Sequence, residues 1–342
     1  MKYFKVVILF LIPLSFLGQQ GPQFTQYMMN KYLYNPAFAG FEDYIDVKTG
    51  FKQQWLGLGI PSKTFYATAN FAIDKEDRTS EGPTPYISKT IRRNFTPTAI
   101  RRKGEKGNFH QGVGIQLMSD QFGPLFDYSL AVTYAYHLPL GGERKIAVGG
   151  SVGFHQRIID FNVGNFDARD PNDNRLLSEG KLTGGHPLIN LGGIYYTRTG
   201  YIGLSANQLI MQNVNYERLV KQAQADTVSW LGNVSPSYQL QAGTTKRINA
   251  HLSLQPSVLI KSTNFKSVVL EGNVKANFDD LFWVGASYRH KEAVAALFGV
   301  QISQASHLSY SYDFHFNGIF DRNYGSHEIV FGVNLNNKWT RR

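Results

Sequence analysis

Cysteine is absent from this 342-residue sequence. The absence excludes disulfide bonds, a catalytic thiol and a zinc site built from thiolates. It also excludes a lipid anchor of the lipoprotein type, which is attached to a cysteine at the cleavage site. If the chain is exported, it therefore folds without covalent cross-links.

Charged residues are scarce, at 18%, although 35 Lys and Arg against 25 Asp and Glu give a net charge of +10. Such an excess could indicate nucleic acid or an anionic surface as partner. The basic residues do not lie on one amphipathic helix, and no nucleic-acid-binding motif accompanies them. We therefore expect no nucleic-acid partner.

Long apolar runs are also missing, with one exception at the N-terminus. Lys2 and Lys5 open the chain, an apolar stretch covers residues 6–17, and the small residue Gly18 follows. This order is typical of a secretory signal peptide and not of a membrane anchor. We predict a signal peptide over residues 1–18 and no transmembrane helix after it.

Aromatic residues and glycine are abundant instead, with 24 Phe, 19 Tyr and 33 Gly. In the stretch FDYSLAVTYAYHL, residues 126–138, large apolar side chains occupy every second position and small or polar ones lie between them. A period of two predicts a β-strand with one apolar and one polar face. The apolar face must meet either a protein core or lipid.

Similar alternation recurs along the chain and predicts about fourteen strands. The expected strands span residues 44–55, 62–74, 110–118, 126–138, 144–157, 186–198, 199–207, 235–246, 250–261, 266–277, 281–290, 292–302, 305–314 and 326–336. Pro256 interrupts the ninth strand and predicts a bulge there, because proline cannot donate to the ladder. No linker divides the chain, so a single folded domain is expected.

The composition of the polar face indicates that the apolar face of these strands meets lipid and not a protein core. It carries mostly Ser, Gly, Ala, Gln, Thr and Asn, which suits a crowded polar lumen, and aromatic residues near the strand ends fit interfacial girdles. Only a closed barrel satisfies every backbone group of membrane strands. The sequence therefore predicts an all-β transmembrane outer-membrane β-barrel of about 14 antiparallel strands. A soluble sandwich or propeller is the alternative.

An even number of strands places both ends of the barrel in the periplasm. The long connections 158–185 and 208–234 then face the exterior, whereas the long connection 75–109 would be periplasmic. The expected parts are a signal peptide (1–18), an N-terminal periplasmic or lumenal segment (19–43) and the barrel (44–342).

A block of short motifs follows the signal peptide in the order PQFTQYMMN, YNPAFAG, QWLGL and PSKTF, and GSHEIVFGVNL lies near the C-terminus. In order and spacing these motifs resemble the PorP/SprF family, outer-membrane proteins of the type IX secretion and gliding systems of Bacteroidota. The residues that carry the motif are Tyr34, Asn35, Pro36, Ala37, Gly40, Gln54 and Trp55. The insertion of residues 75–109 departs from the family, which usually has a short turn there.

The resemblance implies a non-enzymatic accessory or anchor protein of the outer membrane. It also implies partners among the type IX secretion components and a secreted adhesin-like protein held at the cell surface. The barrel alone equally allows a passive porin or a hydrophobic-substrate channel. Asn35-Pro36 initiates a turn and Ala37 and Gly40 allow close packing, so a plain turn before the first strand would also explain the motif.

The stretch KTIRRNFTPTAIRRKGEK, residues 89–106, is strongly basic. Its charge predicts a periplasmic docking site for an acidic face of the secretion machinery or for peptidoglycan, and a solvated loop is the simpler interpretation. The residues assigned to partner binding are Arg92, Arg93, Arg101, Arg102 and Lys103.

No motif indicates a catalytic site, a metal site or a cofactor. Asp313 and His315 share a strand face with Ser309 and Ser311, so an acid/base site in the lumen is conceivable, but a polar lining is the simpler interpretation. Oxygen ligands within residues 166–174 could bind calcium, although their spacing does not match an EF-hand.

Overall fold

The structure is a computed structural model. It describes residues 21–59, 62–73, 109–160, 181–210, 235–263, 265, 267–279, 281–303, 305–316 and 324–335. The signal peptide predicted over residues 1–18, the basic stretch 89–106 and the calcium candidate 166–174 lie outside these residues.

Two short 3-10 helices, Lys31–Leu33 and Pro36–Phe38, precede a long series of strands. The strands are β1 Ile45–Gln53, β2 Ser62–Ile73, β3 His110–Phe122, β4 Leu125–Gly141, β5 Arg144–Asp160, β6 Lys181–Tyr196, β7 Gly200–Asn207, β8 Ser237–Thr244, β9 Lys246–Arg247, β10 Leu252–Thr263, β11 Ser267–Phe278, β12 Phe282–Arg289, β13 Ala293–Gln301, β14 Ser306–His315 and β15 Ser326–Leu335. In the described part of the chain, no helix is long and apolar enough to cross a membrane.

The strands form one antiparallel sheet that closes on itself. β15 pairs with β1, with Ile45 opposite Leu335 and Gln53 opposite His327. β8 and β9 both pair with β10 and are separated only by Thr245, so they form one interrupted strand of the wall. The wall therefore has fourteen strands, which confirms the predicted outer-membrane barrel architecture.

The structure shifts some strand ends. β3 continues to Phe122, and β6 already begins at Lys181, so the connection predicted over 158–185 is shorter. The bulge predicted at Pro256 is wrong, because β10 keeps one register along β11 and along β8 and β9. The missing proline N–H instead coincides with the interruption of the ladder between β8 and β9.

The structure of β4 shows which way the apolar face of residues 126–138 points. Val132 and Tyr134, on the apolar face, are 52% and 51% exposed, whereas Thr133 and Ala135 are buried on the inner face. The same alternation exposes apolar side chains around the wall and buries polar ones inside. The apolar faces therefore form the outer, lipid-facing surface.

The two ends of the barrel differ in the length of their connections. At one end β1 begins and β15 ends; we call it the turn rim, and its connections are 142–143, 197–199, 248–251, 279–281, 302–305 and the long 74–109. The opposite end, the loop rim, has the connections 54–61, 123–124, 161–180, 208–236, 264–266, 290–292 and 316–325.

Candidate functional site in the barrel lumen

Residues 21–44, the lumenal segment, run through the inside of the barrel. Near their start the Nζ of Lys261 donates to the carbonyl oxygen of Gly21 at 3.4 Å, close to the loop-rim end of β10. Near their end the amide of Gly40 donates to the Oδ1 of Asn70 at 3.1 Å, close to the turn-rim end of β2. The segment therefore enters at the loop rim and leaves at the turn rim, where β1 begins.

Five buried charged side chains surround the first residues of the segment. These residues, the lumenal ion cluster, are Lys52, Glu271, Arg289, Asp313 and Glu328, and they come from β1, β11, β12, β14 and β15.

The cluster is a continuous set of ion pairs. Lys52 Nζ lies 3.1 Å from Asp313 Oδ2 and 3.8 Å from Glu328 Oε2. Arg289 Nε lies 3.0 Å from Glu271 Oε2, and its Nη1 lies 3.7 Å from Asp313 Oδ2. Removing one member of such a buried set leaves an uncompensated charge, which typically costs about 3–5 kcal/mol.

Thr25 connects the lumenal segment to this cluster. Its amide donates to Glu328 Oε2 at 2.8 Å, and its hydroxyl donates to Asp313 Oδ2 at 2.6 Å. The same hydroxyl oxygen accepts from Lys52 Nζ at 3.1 Å and from Arg289 Nη2 at 3.3 Å. One small residue thus engages four of the five charged side chains.

The middle of the segment is held by single hydrogen bonds to several strands. Tyr27 Oη lies 3.1 Å from the Oγ of Ser257, and Asn30 Nδ2 donates to the Oγ1 of Thr68 at 2.9 Å. Tyr32 Oη donates to the Oγ1 of Thr133 at 2.8 Å. The polar inner face of the wall therefore binds the segment along its whole course.

The lumenal helix Lys31–Leu33 adds a positive charge near the turn rim. The Lys31 Nζ lies 3.9 Å from the Oε1 of Glu42. The ammonium also lies 5.0 Å from the centre of the Phe41 ring, a cation–π contact.

The motif YNPAFAG forms the turn that ends the passage through the lumen. Asn35 precedes the helix Pro36–Phe38, and its Oδ1 accepts from the amide of Ala37 at 2.9 Å. Its Nδ2 donates to the carbonyl oxygens of Gly193 and Leu204 at 3.3 and 3.1 Å. The Asn35 side chain thus closes the turn with its oxygen and binds the turn to β6 and β7 with its nitrogen.

Glycines of the wall make room for this turn. A Cβ on Gly112 would lie 1.9 Å from the carbonyl oxygen of Ala39, and one on Gly192 would lie 2.0 Å from Asn35 Oδ1. Gly40 itself has φ +72°, a conformation that favours glycine. The backbone of the segment therefore packs directly against the backbone of the wall.

The structure divides the predicted motif residues into two groups. Tyr34, Asn35, Pro36, Ala37 and Gly40 lie together in the lumen and are buried.

Gln54 and Trp55 lie just after β1 at the loop rim, outside that buried turn. The Trp55 amide donates to Ser326 Oγ at 3.1 Å, and its ring packs edge-on against Phe122. The motif residues therefore do not form a single site.

The residues considered for acid/base chemistry lie inside the wall. Asp313 is engaged by Lys52 and Arg289, and His315 Nε2 lies 2.8 Å from Ser326 Oγ. Among the described residues no group of three or more acidic or histidine side chains is arranged to hold a metal ion. The inner-face arrangement gives Asp313 a binding role toward the lumenal segment.

Sequence reasoning missed four of the five members of the lumenal ion cluster. A signal was present, because Lys52, Glu271, Arg289 and Glu328 are charged residues on the polar faces of their strands. Charges at such positions indicate buried pairing partners inside a barrel.

A small cavity of about 50 Å³ remains beside the segment toward the turn rim. Its lining includes Met28, Lys31, Lys48 and Lys275, together with polar groups of β8 and β10. Lys48 contacts Asp46 and Lys31 contacts Glu42, so most of its positive charge is locally paired.

The family model for the type IX secretion system membrane protein PorP/SprF matches residues 16–333. The chain therefore belongs to the PorP/SprF family, and it combines that family's sequence with a closed outer-membrane barrel. No sequence of a curated protein matches it.

Several solved outer-membrane proteins are similar in structure. The toluene transporter TbuX of Ralstonia pickettii has a TM-score of 0.46 and 10% identity, over 89% of this chain and 92% of that one. The Pseudomonas putida toluene transporter TodX has a TM-score of 0.46 and 9% identity, over 90% and 93%. Omp33 of Acinetobacter baumannii has a TM-score of 0.43 and 8% identity, over 86% and 99%.

Proposed function

We propose that this chain is an outer-membrane accessory or anchor protein of type IX secretion, which aids the secretion or surface attachment of partner proteins. Membership of the PorP/SprF family supports the association with that system. The partners are other type IX components and a secreted adhesin-like protein. Export through the predicted signal peptide would bring the chain to the outer membrane.

The observation that carries this proposal is the occupied lumen. Thr25, Gln26, Tyr27, Asn35 and Ala37 of the lumenal segment are each at most 1% exposed. A channel needs a continuous open path through the lumen, whereas an anchor needs only a rigid wall with two rims. The filled lumen therefore favours the anchor over the porin or hydrophobic-substrate channel. We propose no catalytic role for a chain of this family and fold.

Conductance separates the two functions. Purified protein in planar bilayers should give no stable conductance steps, and vesicles that contain it should take up a hydrophobic dye no faster than empty vesicles. Stable porin-like steps or accelerated dye uptake by the unaltered protein would favour the channel.

The positive test is identification of the proteins that co-purify with it from native membranes. Recovery of secretion components is expected, and their consistent absence would count against the accessory role.

A further inference from the structure

The course of the lumenal segment determines on which side the chain starts. Gly21 lies beside Lys261, two residues before the loop-rim end of β10 at Thr263. Thr25 lies among side chains of β12, β14 and β15 that are also near the loop rim. β15, by contrast, ends at the turn rim with Leu335.

Strand parity alone gives a different answer. Fourteen strands place the start of β1 and the end of β15 on the same side, and a short N-terminal segment would be expected to stay there. The 24 residues from 21 to 44 instead cross the whole lumen before β1 begins. They reverse the side on which the N-terminal end emerges.

Cleavage of the predicted signal peptide after Gly18 would leave too little chain before Gly21 for it to turn back. If the signal peptide ends at Gly18, only residues 19 and 20 remain. Two extended residues reach about 7 Å, whereas the hydrocarbon core of a bilayer is about 30 Å thick. The lumen behind Gly21 is occupied by the segment itself, so no second passage is open to these residues.

We propose that the mature N-terminus is displayed at the loop rim, on the opposite side of the membrane from the end of β15. Short turns mark the periplasmic end of such barrels, so the loop rim faces the cell surface. The lumenal segment then passes through the barrel from the turn rim to the loop rim. This passage must follow removal of the signal peptide, because the signal peptide would otherwise hold the chain on the periplasmic side. The proposal stands independently of the partner proteins.

Single cysteines test this topology, because the chain has none of its own. Gly21→Cys places a thiol at an exposed position where the nearest atom to its Cβ is Lys261 Nζ, at 3.9 Å. Tyr324→Cys reports the loop rim, and Thr199→Cys reports the turn rim; both residues are exposed. An impermeant maleimide is added to intact cells and, separately, to cells with a permeabilised outer membrane.

Gly21→Cys should be labelled on intact cells together with Tyr324→Cys, whereas Thr199→Cys should be labelled only after permeabilisation. Labelling of Gly21→Cys with the Thr199→Cys pattern would overturn the proposal, whichever rim faces outward. Failure of Gly21→Cys to react in either preparation would overturn the display of the N-terminus.

A second variant covers the case in which Gly21→Cys does not assemble. A short epitope inserted between Gly18 and Gln19 should be detected by antibody on intact cells, and the same epitope after Arg342 should require permeabilisation. Detection of both epitopes only after permeabilisation would contradict the proposal.

Discussion

At the scale of single residues, the lumen is organised by small side chains that receive several contacts at once. Thr25 satisfies two anions and two cations through one amide and one hydroxyl. Gly112 acts through the lack of a side chain, because the absence of its Cβ leaves room for the backbone of the lumenal segment. Neither role depends on hydrophobic burial, so neither follows from residue type alone.

Thr25→Val should weaken the seating of the lumenal segment. Valine has nearly the shape of threonine but leaves Asp313, Lys52 and Arg289 without the hydroxyl. Hydrogen bonds to charged groups are worth about 1.5–3 kcal/mol. We expect a lower midpoint of urea unfolding in phospholipid vesicles, followed by tryptophan fluorescence. Thr25→Ser keeps the hydroxyl and should unfold close to the unaltered protein. A loss in Thr25→Ser as large as that in Thr25→Val would contradict this reason, because serine keeps the hydroxyl and lacks only the methyl group.

Gly112→Ala should destabilise the barrel through a steric conflict. The new Cβ would lie 1.9 Å from the carbonyl oxygen of Ala39, a backbone atom that cannot move aside cheaply. Overpacking of this kind typically costs about 1–3 kcal/mol in the free energy of unfolding. Gly193→Ala is the matched control, since its nearest contact is Ala147 O at 3.8 Å. A Gly112→Ala protein as stable as the control would mean that the segment does not pack there.

At the scale of elements, the wall and the lumenal segment obey different rules. Each strand has a two-residue period, so its existence and facing follow from local sequence, as residues 126–138 illustrate. The segment has no period, and its contacts join residues as far apart as Thr25 and Glu328, 303 positions away. Its path through the lumen therefore could not be predicted from the sequence beyond the expectation of a periplasmic or lumenal location.

A substitution on the inner face of β4 would not test the lipid-facing surface. Thr133, on the polar face, accepts a hydrogen bond from Tyr32 Oη and is 6% exposed, so an arginine there would collide with the lumenal segment. A test of the outer face therefore needs both of its variants on that face.

Val132→Arg and Leu140→Arg provide such a pair on β4. Both residues point outward, at 52% and 54% exposure, but Val132 lies at the middle of the strand and Leu140 at its turn-rim end. Arginine at the bilayer midplane costs about 2–4 kcal/mol, and near the interface about 0–1 kcal/mol. Folding into vesicles under urea titration should show this difference. Equal costs would mean that the apolar band is not centred on Val132.

At the scale of the whole molecule, the two rims of the barrel differ in their connections. The connection 74–109 joins β2 to β3 at the turn rim, on the same side as Arg144, Lys246 and Arg247, which are exposed. Strand parity predicts that this rim faces the periplasm, where its positive charge would attract anionic surfaces. The loop rim carries the long connections and, by our proposal, the N-terminus.

The barrel architecture, the number of wall strands and the family could be predicted from the sequence, because periodicity and a motif block are local features. The lumenal ion cluster could not, since Lys52, Glu271, Arg289, Asp313 and Glu328 meet only after the sheet has closed. The function of the basic stretch 89–106 stays a prediction that rests on charge and strand parity alone.

Charge reversal in that stretch tests whether it docks a partner. Changing Arg92, Arg93, Arg101, Arg102 and Lys103 to Glu lowers the formal net charge by ten units, from +10 to zero. None of these residues lies in a predicted or described strand, so the barrel should still insert and unfold at an unchanged urea concentration. Capture of an acidic periplasmic partner or of peptidoglycan by the purified protein should be lost. Exchange of the same five residues between Arg and Lys retains the charge and should retain capture.

Salt dependence distinguishes electrostatic docking from shape-specific binding in the same experiment. Attraction between exposed charges acts over a Debye length of about 10 Å at 0.1 M salt and about 3 Å at 1 M. Capture by the unaltered protein should therefore fall steeply between these concentrations, and the charge-retaining variant should follow the same curve. Capture that is insensitive both to salt and to the five Glu substitutions would place the partner elsewhere on the turn rim. In that case the 74–109 connection would be a solvated loop, because its charge would have no measurable part in binding.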